Sequence, residues 1–369
     1  MSGVSSISSP APHGRHEARL QELDVLRGLA AAAVVLFHYT VRYGALYGYP
    51  TPPALRVPLG FYGVEVFFCI SGFVIFMTLD RTRRPMDFVV SRGSRLWPAY
   101  IVAIAITFLV VHIFGLAGRQ TTVVQALVNL SMLHELVHVP DVDAVYWSLQ
   151  VELIFYCWML LAYLSGALRH IRTVLCVALL APVVYFLSRR LLGHEPSYLA
   201  GTLLLVAYLP YFTIGIAAYN LRAGRGSPYK DLLLMVAAVA VIALCGGAGD
   251  WLVGALAAGV FCLLAANRLA PIAQAPLVFL GTISYPLYLL HQNIGYVVIR
   301  EAMRHGISPN AAIVTAILVC VALAAALTWW VEKPARAWLR DRYARHRARA
   351  SGLSAMARET VAPSRVAGR

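Results

Sequence analysis

Ten apolar stretches run along the chain, at about 23–43, 60–79, 96–115, 146–168, 173–188, 201–221, 232–247, 250–266, 277–299 and 310–331. Each approaches the ~20 residues that a helix needs to cross the hydrocarbon core of a bilayer. Each is read as a helix, because an open strand in lipid would leave its backbone polar groups unsatisfied. The stretch Thr122–Leu133 is apolar but too short to span, and reads as a re-entrant or interfacial helix. The pattern predicts an all-α, polytopic integral membrane protein of about ten transmembrane helices. It divides the chain into a polar N-terminal tail 1–20, a transmembrane domain 21–334 and a basic tail 335–369. The N-terminal tail lacks the apolar segment of a cleavable signal peptide, so the first span is expected to act as an uncleaved anchor. No internal or inverted repeat of the kind found in secondary transporters is visible.

Composition agrees. Apolar residues make up 60% of the chain and charged residues 13%, against about a quarter charged in soluble domains. Mean hydropathy is +0.69. These values exclude a secreted enzyme, a soluble nucleic-acid binder and a disordered chain. The formal charge of +14 comes from 31 basic residues, only two of them lysine (Lys230 and Lys333). With the N-terminus inside, 24 of the 31 fall on inner segments and seven on outer ones. The positive-inside rule then places both termini in the cytoplasm, with Arg189 and Arg190 the pair that fits least. The tail from Lys333 onward carries ten basic and two acidic residues and reads as a helix lying against anionic lipid, not nucleic acid. The six cysteines lie in apolar runs without CxxC or His spacing, and read as small buried apolar residues.

Ionisable groups inside a span are costly, so each asks for a reason. Arg27, His38, Glu65, Glu152 and His291 stand out. Arg27 and His38 are eleven residues apart on the first helix, about three turns and roughly 16 Å of rise, so both point to nearly one face. Arg27 falls near the inner end and His38 near the outer end. Glu65 and Glu152 fall about five and six residues into the second and fourth spans, at a depth similar to His38. Three titratable groups at one depth suggest a shared polar site, where a carboxylate would orient the imidazole and stabilise its charged form. Structural hydrogen bonding explains each of them equally simply. Ser148, after Trp147 at the start of the fourth span, has no Gly-x-Ser-x-Gly elbow around it and reads as a helix-start or packing hydroxyl. On the inner side, Arg92 and Arg95 are three apart and share a helix face. With Arg27 at the same depth they suit a phosphorylated cytoplasmic molecule, because guanidinium groups grip phosphate bidentately. Positive-inside topology alone accounts for Arg81, Arg83 and Arg84. No cluster has metal-ligand spacing.

These residues resemble the membrane-bound acyltransferase family 3, which transfers acyl groups, commonly acetyl, from acyl-coenzyme A to hydroxyls of sugars and other acceptors at the bacterial inner membrane. The resemblance runs from about Gln21 to Pro334. Arg27 to His38 is similar to the family's Arg-x10-His motif, and Gly63-Val-Glu65 to Ser71-Gly72 to its second-span signature, where Asp is common in place of Glu65. Arg92-x-x-Arg95-Leu-Trp-Pro98, on the inner loop after the second span, is similar to its loop motif, and Trp147-Ser148-Leu-x-x-Glu152 and Ile283-Ser-Tyr285 to Tyr288-x-x-His291 to its fourth-span and late-span motifs. The resemblance implies that His38 is the base, that Arg27 contacts the donor or stabilises the site, and that Arg92 and Arg95 engage the coenzyme A phosphates. It implies no bound cofactor and acyl-coenzyme A, commonly acetyl-CoA, as co-substrate.

Both readings meet in one expected mechanism, with His38, Glu65 and Glu152 as the reacting set and Trp147, Ser148, Tyr285 and His291 in support. Acyl-coenzyme A docks from the cytoplasm, and His38 deprotonates an acceptor hydroxyl presented from the outer side; an acyl-His intermediate is the rival course. The acceptor classes are a polysaccharide, a lipid-linked sugar or a secreted metabolite. The alternative from another class is a proton-coupled transporter or flippase with His38, Glu65 and Glu152 as a relay. A cytoplasmic phosphate receptor separates the two, since a proton relay has no use for one.

Overall fold

The computed structural model describes residues 20–193 and 197–361. The expected tail 1–20 and the end of the basic tail therefore fall almost wholly or partly outside the described residues.

Among the described residues the chain is helical throughout, with no strand. Helix α1 runs over Gln21–Tyr47, α2 over Gly63–Arg81, α3 over Pro85–Phe114, α4 over Val123–Asn129 and α5 over Trp147–Leu164. Then follow α6 (Ile171–Ala178), α7 (Leu180–Leu192), α8 (Tyr198–Leu203), α9 (Leu209–Arg222), α10 (Pro228–Cys245) and α11 (Ala248–Ala265). The last three are α12 (Ala275–Arg304), α13 (Pro309–Leu327) and α14 (Lys333–Val361).

The molecule is a polytopic membrane protein. Among the described residues seven helical segments are long and apolar enough to cross a bilayer: Gln21–Tyr47, Pro58–Arg81, Pro85–Phe114, Ala144–Leu164, Ala167–Leu191, Pro228–Cys245 and Pro309–Arg349. The other three expected spans fall on α8 with α9, on α11 and on α12, which are shorter or less apolar. The run 201–221 is broken where Leu205 takes a positive φ of 54°, and an apolar count cannot see such a turn. The arginine motif, expected in a loop, lies inside α3, because that helix starts three turns earlier at Pro85 and carries Pro98 within it. Hydropathy marks only the lipid-buried part of a helix, which continues into water.

Two helices form the centre. In α12 every residue from Ile283 to Val297 except Tyr285 is buried, and in α9 every residue from Leu209 to Asn220. A helix buried all round belongs inside a bundle. Glycines set how closely their neighbours approach. A Cβ on Gly28 would stand 2.7 Å from the Gly281 nitrogen, and one on Gly281 would overlap the Asp24 backbone, so α1 and α12 cross at backbone contact. Gly72 and Gly215 do the same between α2 and α9. Outward side chains such as Ile113, Val236 and Leu318 are exposed, as a lipid-facing surface requires. Cys69 and Cys320 are buried as expected, whereas Cys157 and Cys176 lie on the outside of the bundle.

Two π-turns interrupt the ladder, at His38–Arg42 in α1 and at Thr328–Glu332 between α13 and α14. Such turns re-aim side chains within a helix. The basic tail helix does not lie free: Tyr343 donates to Asp87 at 2.8 Å, Arg347 pairs with Asp87 at 3.1 Å and Arg340 donates to Ser91 at 3.1 Å. Its first turns dock on α3, because Asp87 and Ser91 present acceptors there.

Candidate active site

One end of the bundle holds a histidine pair. His38 opens the π-turn of α1, and His291 lies fully buried at the middle of α12. His38 Nδ1 is 2.8 Å from the Val34 carbonyl and 3.2 Å from His291 Nε2. His291 Nδ1 is 2.8 Å from the Tyr288 carbonyl. A carbonyl oxygen only accepts, so both Nδ1 atoms carry the proton. His291 Nε2 is then an acceptor and shares the His38 Nδ1–H with Val34. By this assignment His38 Nε2 is left as a bare lone pair. The Tyr39 hydroxyl donates to the His291 carbonyl at 2.7 Å and fixes the backbone behind it. Asp143, just before α5, accepts from the Asn293 amide at 3.0 Å, and Asn293 donates to the Val142 carbonyl at 2.9 Å. Burial pushes the Asp143 carboxyl up to about 7, against the pull of the amides it accepts from.

The opposite end is a basic cavity of about 690 Å³. Arg27 of α1, Arg81 of α2, Arg92 and Arg95 of α3, Arg222 of α9, and Lys333 and Arg336 of α14 line it, with Asp24 and Glu332 as its carboxylates among the described residues. Seven cations against two acids leave a formal excess of five positive charges. Arg95 and Arg336 make no hydrogen bond or ion pair among the described residues. Arg27 stands 3.4 Å from Asp24, and the Arg92 Nε is buried without a partner.

A narrow neck of about 70 Å³ leaves this cavity past Arg27, Arg92 and Arg95. Glu152 sits in its wall, accepting from Tyr156 at 2.7 Å and from the Ser71 hydroxyl. At the far end the Ser148 and Tyr288 hydroxyls are 2.7 Å apart. Tyr285 ties α12 to α3 by donating to the Leu96 carbonyl at 2.9 Å. Trp147 packs between Phe68 and Tyr208. Tyr288 joins the two halves: its hydroxyl lines the neck and its carbonyl holds His291.

The residues expected to share one depth thus part company. Neither glutamate hydrogen-bonds either histidine. Glu152 belongs to the arginine neck, and Glu65 lies in the first turn of α2 with Oε2 buried and unpartnered. The partner of His38 is His291, which the sequence offered only as support. Arg81 was attributed to topology, and Arg222, Lys333 and Arg336 carried no signal beyond ending apolar runs on the inner side. Among the described residues no group of three or more His, Cys, Asp or Glu side chains could hold a metal.

An acyltransferase-domain family matches residues 20–330, more than four-fifths of the chain. The chain belongs to this acyltransferase family. It is also 29% identical over 304 residues to BcsY of Komagataeibacter xylinus, a membrane-bound transacylase by name, with 74% of this chain and 72% of that protein covered. No solved structure matches. The membrane acyltransferase therefore carries its titratable pair and its cation-lined cavity on opposite ends of one helical bundle.

Proposed function

We propose that this acyltransferase moves an acyl group, acetyl by family habit, from acyl-coenzyme A to a hydroxyl of a carbohydrate, lipid-linked sugar or secreted metabolite. It works in the bacterial inner membrane with both termini in the cytoplasm. The observation that carries the reading is the hydrogen-bond chain that leaves His38 Nε2 bare, in a bundle whose cation-rich cavity opens into a neck past Arg27, Arg92 and Arg95.

The phosphates of the donor rest on Arg27, Arg92 and Arg95, and the pantetheine arm enters the neck. That arm is roughly 15 Å long when extended, at about 1.2 Å per chain bond. The eleven residues from Arg27 to His38 rise by about 16 Å, so the lengths match. The acceptor arrives from the outer side. His38 Nε2 takes the hydroxyl proton as the oxygen attacks the thioester carbonyl. The imidazolium that forms keeps two acceptors on its Nδ1–H, Val34 O and His291 Nε2. The Ser148 and Tyr288 hydroxyls, which share the Val145 carbonyl as acceptor without substrate, turn from it to stabilise the oxyanion. Collapse expels the coenzyme A thiolate, which recovers the proton from His38. The products are an ester and free coenzyme A.

The test is transfer of label from radiolabelled acetyl-CoA to envelope glycans by the purified protein in lipid nanodiscs. Label on the glycans with wild type and none with His38→Ala supports the reading. Equal transfer by both removes His38 as the base. A relay of His38, Glu65 and Glu152 finds no support, because the three are not hydrogen-bonded to one another.

A further inference from the structure

The donor reading asks for two or three arginines, yet the inner cavity holds seven cations. Crowded like charges repel, and several here have no partner, so the excess asks for an anion larger than one pyrophosphate. Two groups can be told apart. Arg27, Arg92 and Arg95 line both cavity and neck, whereas Arg222, Lys333 and Arg336 line only the wide part. The second group is assembled from distant chain. Arg222 ends α9 and is steadied by the Leu264 carbonyl at 2.6 Å. Lys333 and Arg336 open α14 one turn apart, on one face, directly after the π-turn Thr328–Glu332. That turn also puts Thr328 and Glu332 into the cavity wall. Lys333 lies over the Trp329 ring at 4.5 Å.

From this separation we infer that Arg222, Lys333 and Arg336 form a second phosphate subsite, which takes the 3′-phosphate of coenzyme A, while the arginines at the neck take the pyrophosphate. The inference rests on the donor reading above and assigns the part of the cavity that it leaves unused. Chemistry orders the two subsites. The pantetheine arm leaves from one end of the pyrophosphate and the ribose 3′-phosphate hangs beyond the other, so the 3′-phosphate must lie farther from the neck. Charge fits as well: a phosphate monoester adds about 1.5–2 negative charges at neutral pH to about two on the pyrophosphate, against the excess of five positive charges in the cavity. A guanidinium and an ammonium together suit a terminal phosphate, since the arginine fork meets two oxygens and the lysine adds a point charge.

Calorimetric titration of coenzyme A and of 3′-dephospho-coenzyme A into the full-length protein tests the subsite. Wild type should bind coenzyme A about ten- to a hundredfold more tightly than the dephospho form, the range for one or two charge-assisted contacts. Arg336→Gln with Lys333→Gln should erase most of that gap by weakening coenzyme A alone. Arg336→Lys should retain part of it. Arg95→Gln should weaken both ligands by similar factors and keep the gap. Equal affinity of wild type for the two ligands, or equal loss of both in the Arg336 and Lys333 variant, overturns the subsite and leaves the donor reading intact. A wild type that binds neither ligand overturns the donor reading and the subsite with it.

Discussion

The two ends of this bundle use titratable groups in opposite ways. At one end, two histidines are held by backbone carbonyls and by each other, so every ring nitrogen but one is engaged. At the other end, seven cations from α1, α2, α3, α9 and α14 converge against two carboxylates, Asp24 and Glu332. Satisfied hydrogen bonds fix a tautomer and a direction, which proton transfer needs. Unsatisfied cations keep their binding capacity for an incoming anion, which recognition needs. The bundle stores order at one end and excess positive charge at the other, and Tyr288 touches both, with its side chain on the neck and its carbonyl on His291.

That contrast breaks most clearly at His38. His38→Ala should lower acyl transfer by about 10²–10⁴-fold, the usual contribution of a positioned base, with coenzyme A affinity unchanged by calorimetry. A matching loss of donor affinity would mean that the two ends are not separate in function. Next, Arg95→Ala should weaken coenzyme A by about ten- to a hundredfold, as expected for losing one charge-assisted phosphate contact of roughly 1.5–3 kcal/mol. Higher salt should weaken wild-type binding as well, and Arg95→Lys should restore it in part because the planar fork is lost. Arginines that merely set topology would leave affinity flat in all of these titrations.

His291→Gln sharpens the comparison at smaller amplitude. Glutamine keeps an acceptor near the His38 Nδ1–H but loses the ring and its anchor on Tyr288, so transfer should fall by about tenfold, a fraction of the general-base effect. Donor affinity should stay constant; a drop in it would place His291 on the donor path instead. The smallest effect concerns Asp143, which holds α12 beside the histidines. Its folded value near 7 lies above the ordinary value of 3.8. Its contribution to stability is therefore fully present below about pH 3.8 and is lost as pH rises towards 7. Between pH 5 and 8 the melting temperature of wild type in detergent should fall by roughly a few degrees. Asp143→Asn should flatten that slope, and an unchanged slope would refute the assignment.

Membrane location and helical architecture were legible in the sequence, because lipid acts on every residue locally. An apolar run of sufficient length and a self-satisfied backbone are properties of consecutive residues. The family was legible for a related reason: Arg27 with His38, and Arg92 with Arg95, are short-range motifs on single helices. The tertiary structure alone decided which distant groups meet. It put His291 against His38 across 253 positions, and moved Glu152 to the arginine neck by giving it Ser71 and Tyr156 as partners. It also gathered Arg222, Lys333 and Arg336 at one cavity. Depth along a span follows from counting residues, but azimuth around each helix follows from packing. Here packing was set by glycine contacts such as Gly28 on Gly281 and by two π-turns. Counting along the chain encodes neither.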